Sequence, residues 1–163
     1  MQGGIIAMEL KNWLNKWNLG SLKINAKFLE LELNFTDTDK KAAWEMYVEL
    51  LTRITTQHLL PEEGDEKTAL DSIHSLFSTT REILKKYGSS CVEFTKISVI
   101  ILNQVVRPFT SKWHKKSLEG AFEKPEECRE FRKELIELQE KIRNYTKLLS
   151  EIAGVEDLTE MEG

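Results

Sequence analysis

"PEECREFRKELIELQEKIRNYTKLLSEIA", residues 125–153, decides the fold. Cys128, Phe131, Leu135, Leu138, Ile142, Tyr145, Leu149 and Ile152 step along it at threes and fours, the spacing that lines side chains along one face of an α-helix. Pro125 suits a first helical turn, where its missing N–H costs nothing, and Gly154 supplies the stop. Twenty-nine residues at about 1.5 Å each reach roughly 44 Å, whereas a compact chain of this length has a radius of gyration of about 15 Å. One helix therefore runs the length of the domain, and its stripe needs a cover. Ile136 and Leu148 widen the stripe beyond a two-position seam, which suits a bundle better than a lone dimeric coiled coil.

The candidate cover lies upstream. Thr36, Asp37, Thr38 and Asp39 offer N-caps to a helix over roughly 38–58 carrying Ala43, Met46, Tyr47, Leu50, Leu51 and Ile54. Asp65 caps a second, with Ala69, Leu70, Ile73, Leu76, Phe77, Ile83 and Leu84 running to Gly88, and the hydroxyls of Ser78, Thr79 and Thr80 mark a place for a kink. "SSCVEF" reads as a capping box from Ser90 to Glu93, opening a helix apolar around most of its circumference, Val92 to Val106, which a central position would explain. It meets Pro108, after which "FTSKWHKKSLEGAF" continues as a bent or restarted segment.

Nearer the start, Leu10, Trp13, Leu14 and Trp17 recur at helical spacing before Gly20. In 21–35 the signal divides. Leu22, Ile24, Ala26 and Phe28 alternate, then Leu29, Leu31, Leu33 and Phe35 alternate on the other parity, which favours an extended segment with a bulge. Leu22, Ala26, Leu29 and Leu33 would equally serve a helix. The expectation is a single all-α domain over 1–163, an antiparallel bundle of four or five principal helices. It carries a short extended stretch after the N-terminal amphipathic segment (1–20), and an acidic tail over 155–163.

Composition narrows the function classes. At 40% hydrophobic and 31% charged, with 3 Pro and 8 Gly, the chain is an ordinary globular one. The apolar run 97–106 is about half a bilayer span, and the N-terminus lacks a basic region and a cleavage site, so neither a membrane nor a secretory signal is expected. Cys91 and Cys128 are too few for a disulfide scaffold or a cysteine zinc site, which points to reduced thiols and a cytoplasmic setting. The net charge of −4 is uneven: residues 81–116 hold eight basic side chains against two acidic, leaving −10 for the remainder. Trp44 is expected in the core.

Chemistry has few candidates. There is no glycine-rich phosphate loop, no G-x-S-x-G, no calcium-loop pattern in Glu62–Glu66, and no H-x3-H or H-E-x-x-H. No cofactor and no metal site is expected, His58 and His74 falling on separate helices. Cys91, near a helix start, is more readily a buried thiol than a nucleophile. What stands out is "RPFTSKWH", 107–114. On a continuous helix Arg107 and His114 lie within about 20° of one face and roughly 10 Å apart in rise, a guanidinium for phosphate and an imidazole titrating near neutrality. A second pair, Arg53 and His58, would sit about 140° apart.

The R-x6-H spacing resembles the R-x(4–6)-H motif of the HEPN family, helical-bundle domains many of which are metal-independent ribonucleases. The resemblance implies that Arg107 stabilises charge on a scissile phosphate and that His114 moves a proton to or from a ribose oxygen. Lys112, Trp113, Lys115 and Lys116 would then hold RNA by phosphate contact and stacking. Against this stands the proline, which pushes Arg107 out of helical geometry and makes 107–114 a helix joint. The first expectation is accordingly a non-catalytic, cytoplasmic helical interaction or oligomerisation module in a larger assembly. Its contact face would be Phe131, Leu135, Leu138, Ile142, Tyr145 and Leu149 on the 125–153 helix, or the N-terminal Trp segment, toward a protein partner or a second copy. The second is the RNA-cleaving or RNA-binding domain.

Overall fold

The long helix forms over Pro125–Ala153 and ends at Gly154, whose φ of 71° places it in the left-handed conformation that glycine tolerates. The computed structural model describes residues 8–53 and 65–161. In chain order the helices are α1 (Leu10–Lys16), α2 (Ala26–Leu29), α3 (Asp37–Leu51), α4 (Glu66–Tyr87), α5 (Val92–Ile101), α6 (Arg107–Leu118) and α7 (Pro125–Ala153). The strands β1 (Met8–Glu9) and β2 (Glu32–Leu33) pair antiparallel, Met8 opposite Leu33. The fold is all-α with this small clip at its edge. Segment 21–35 is thus neither a bulged strand nor a helix throughout, but one turn of helix followed by two residues of strand.

One hydrophobic core reaches from Leu10 to Ile152. Along α7 the stripe Phe131, Leu135, Leu138, Ile142, Tyr145, Leu148, Leu149 and Ile152 is buried, chiefly against α3, which also packs on α4 and α5, while α4 packs on α6. Tyr145 carries its hydroxyl inward to Ser98 Oγ at 2.9 Å, and burial pushes its pKa far up despite that bond. Trp44, assigned to the core by sequence, stands 47% exposed on α3. Ile54 and the loop through residue 64 lie outside the described residues.

The caps are partly as expected. Thr36 opens α3 with a reciprocal capping box to Asp39, and Asp65 opens α4 by accepting from Thr68 N. The Ser90–Glu93 box does not form. Asp39, fully buried, takes over that work: one carboxylate oxygen accepts from Thr36 N at 2.8 Å, the other from Phe94 N at 3.0 Å. One side chain therefore caps α3 and the first turn of α5 together. Thr36 Oγ1 adds a bond to Ser90 O, and Glu93 accepts from Asn34 N instead.

Pro108 does not break the helix. Residues 102–106 form a π-helical turn between α5 and α6, and Arg107 keeps right-handed helical angles of φ −58° and ψ −44°. An interior proline removes one hydrogen bond and its ring presses on the carbonyl four residues earlier, here Gln104. That carbonyl falls inside the widened turn, where the register has already shifted and the ring has room. The expectation that proline forces Arg107 out of helical geometry is overturned by this local adjustment. The 78–80 hydroxyls do not interrupt α4 either: Ser78 Oγ bonds back to Ser75 O at 3.0 Å, while Thr79 Oγ1 accepts from Arg53 and Thr80 Oγ1 donates to Met46 Sδ on α3. By length and composition the helical stretch Glu66–Leu118 is apolar enough to cross a membrane, with a mean hydropathy of 1.2 over its best window, 39% of it buried in the fold. Ten residues taken alone understated that length.

Because Asp39 serves two helix starts, Asp39→Ala is expected to cost about 2–4 kcal/mol, a lost cap plus a buried N–H left without an acceptor. Urea unfolding measures it. A loss below about 0.5 kcal/mol would show that solvent reaches both N–H groups.

Candidate functional site

The unbroken course of α6 puts Arg107 and His114 on one rod beside α4. Their neighbours are α4 side chains. The Arg107 guanidinium lies over the buried Phe77 ring at 4.7 Å, and its Nε donates to Asn103 Oδ1 at 3.2 Å. The His114 ring meets that of His74 at 4.9 Å between centroids, tilted 46°, and His74 in turn lies 5.6 Å from Phe77. The contacts run in the order Arg107, Phe77, His74, His114. Arg107 and His114 share a face but each is engaged with α4, and Phe77 with His74 stands between them.

Burial pushes the His114 pKa down, with His74 and Lys67 adding to it and Asp71 opposing. The imidazole is therefore neutral at physiological pH, a proton acceptor. Asp71 itself is held by Lys67 at 2.8 Å.

The basic residues around Trp113 turn inward to acidic partners. Lys112 reaches Glu134 at 2.5 Å and Lys116 reaches Glu127 at 2.6 Å. Burial would raise the Glu134 carboxyl, but hydrogen bonds from Lys112 and Trp113 outweigh it and hold it below the usual range. Trp113 is fully buried, stacked on Phe122 and edge-on to Phe131 at 5.2 Å, while its Nε1 donates to Glu134 at 3.2 Å. It anchors the core and offers no platform to a base. Lys115 alone of the group is exposed without an acidic partner among the described residues.

The face named as an interface, Phe131, Leu135, Leu138, Ile142, Tyr145 and Leu149, lies inside the bundle. It meets α3 rather than a second molecule, because the chain supplies enough helix to satisfy the stripe itself. Of the flanking positions, Leu148 is buried and Ile136 is exposed. Cys91 is buried, its Sγ 3.4 Å from Gly88 O. Arg53 bonds Glu49, Ser75 and Thr79; His58 lies outside the described residues.

Exposed apolar surface collects elsewhere. Val92 and Val99, two turns apart on α5, are 47% and 44% exposed, and Phe28 on α2 is 52% exposed. With Leu10, Ile24, Leu84 and Ile100 they line a cleft of about 680 Å³ whose only charged lining groups are Lys23 and Lys96. The Lys23 backbone and the Gln104 side chain bond each other in both directions at one end of it. The all-round apolarity of 92–106 predicts a central helix; one face of α5 instead forms this wall. No protein-family model, curated protein or solved structure matches the chain.

His74 was not found from sequence as a partner of His114, since forty residues and a helix pairing separate them. The cleft had a legible half: α5 carries more apolar residues than one buried stripe requires.

The folded pKa of His114 lies below its unfolded value, so its contribution to stability is intact above about pH 6.5 and is lost as pH falls through the interval beneath. The urea midpoint of the parent is expected to drop more between pH 7.5 and 5.5 than that of His114→Gln. Equal drops would show that protonating His114 costs the fold nothing.

Proposed function

We propose that this chain is a non-catalytic helical interaction module, a cytoplasmic component of a larger protein assembly. It holds an apolar, acid-flanked helix of a partner protein in the cleft between α2 and α5. The observation that carries this reading is the lining: Val92, Val99 and Phe28 are open to solvent, Ile24 is half-buried beside them, and both charged groups of the lining are lysines. An amphipathic helix laid in such a groove buries its apolar stripe on the α5 wall, and carboxylates on its flanks meet Lys23 and Lys96. Lys96 is shared with Glu93 at 2.7 Å, so Lys23 makes the freer contact. Two unpaired thiols, Cys91 and Cys128, fit a reducing compartment.

A second reading keeps one specific observation. Arg107 and the neutral His114 lie on one continuous helix at the R-x6-H spacing of the HEPN-like motif, with His74 as a second imidazole. The engagement of Arg107 with Phe77 and of Lys112 and Lys116 with glutamates leaves RNA little to hold. The interaction module is therefore favoured.

Fluorescence anisotropy with two synthetic helical peptides, alike in their leucine stripe but flanked by glutamate or by lysine, separates the outcomes. The glutamate peptide is expected to bind saturably, and Val99→Glu, placed on an already exposed position, to weaken it at least about tenfold with the circular dichroism unchanged. Equal binding of both peptides, or binding that survives Val99→Glu, would overturn the assignment. EDTA-resistant cleavage of single-stranded RNA that disappears in His114→Ala would establish the second reading instead.

A further inference from the structure

His74 of α4 and His114 of α6 bring two imidazoles together away from the cleft. The geometry points to a two-imidazole site for a late first-row divalent ion, Zn²⁺, Ni²⁺ or Cu²⁺, clamping α4 to α6. Two imidazoles sharing one tetrahedral ion at ~2.0–2.1 Å from each nitrogen have ring centroids about 5 Å apart. His74 and His114 stand at 4.9 Å. The helices therefore hold the two rings at the centroid spacing that a shared ion needs.

Two further observations bear on it. Neither ring has a hydrogen-bond partner among the described residues, so no ring nitrogen must give up a bond to reach a metal. His74 is exposed and His114 partly so, which gives an ion entry from solvent. Around the pair, α4 contributes Lys67 and Asp71, joined to each other at 2.8 Å, and α6 contributes Arg107 over Phe77. No cluster of three metal-ligating groups occurs among the described residues. The ion is therefore held by two imidazoles, with water completing its shell, and imidazole selects Zn²⁺, Ni²⁺ and Cu²⁺ over Mg²⁺ or Ca²⁺. Such a clamp would fix α6 against α4 without touching the cleft lining.

The test uses the full, tag-free chain, titrated at pH 7.5 with Ni²⁺ and separately with Mg²⁺ while its melting temperature is followed. Ni²⁺ is expected to raise it saturably, by about 3–10 °C once the ion exceeds its Kd by ten- to a hundredfold, and EDTA to reverse the rise. Mg²⁺ should do nothing. His74→Gln and His114→Gln should each abolish the Ni²⁺ shift, and His58→Gln, the remaining histidine, should leave it unchanged. No Ni²⁺ shift, a shift kept in either His74→Gln or His114→Gln, or a shift lost in His58→Gln would each overturn the site. Circular dichroism of the variants without metal confirms that the comparison is made between folded chains.

Discussion

The apolar face of α7 has to be covered, and the rest of the molecule follows from how the chain does it. A helix of twenty-nine residues with an unbroken three-four stripe exposes more hydrocarbon than a soluble chain leaves uncovered. α3 lies along it, α4 and α5 close against α3, and the core extends to Leu10 of α1. Each buried large side chain on the stripe represents roughly 1.5–3 kcal/mol of transfer free energy, so this face dominates any smaller local preference. The consequence for function is direct. A surface consumed in folding is not offered to a partner, and the apolar surface left over is the outer wall of α5, where the proposed partner would dock.

Two local devices make that packing possible. Buried Asp39 joins the start of α3 to the start of α5, fixing where the second helix sets out. The π-helical turn at 102–106 then lets the α5–α6 rod continue past Pro108, carrying Arg107 and His114 alongside α4. Were the rod broken there, α6 would lose its register with α4, and His114 its contact with His74. The turn is thus the feature on which the histidine pair depends.

What the sequence discloses and conceals divides along physical lines. α7, α3 and α4 are legible because a long stripe at one period has few alternative folds, and the Thr36 and Asp65 caps are legible because capping is local. Pro108 misleads because its usual effect is read without the widened turn that relieves it. The Ser90–Glu93 box misleads because the Glu93 carboxylate is taken by Asn34 N and Lys96, while the start of α5 is capped one residue later, at Phe94 N, by Asp39 of α3. Trp44 misleads because residue type predicts burial only on average. The interface on α7 is recognised as a surface needing a cover, but whether that cover is the chain itself or a second copy depends on packing across a hundred residues. His74 beside His114, and α2 opposite Val92 and Val99, are tertiary juxtapositions that no spacing encodes.

The central claim is that α7 is satisfied within one chain. Native-state hydrogen exchange of the α7 amides, followed over about a hundredfold range of protein concentration, tests it most directly. The account predicts that amides between Phe131 and Leu149 exchange only through global unfolding, at rates independent of concentration. Faster exchange on dilution would place the cover of α7 in a second molecule and contradict it.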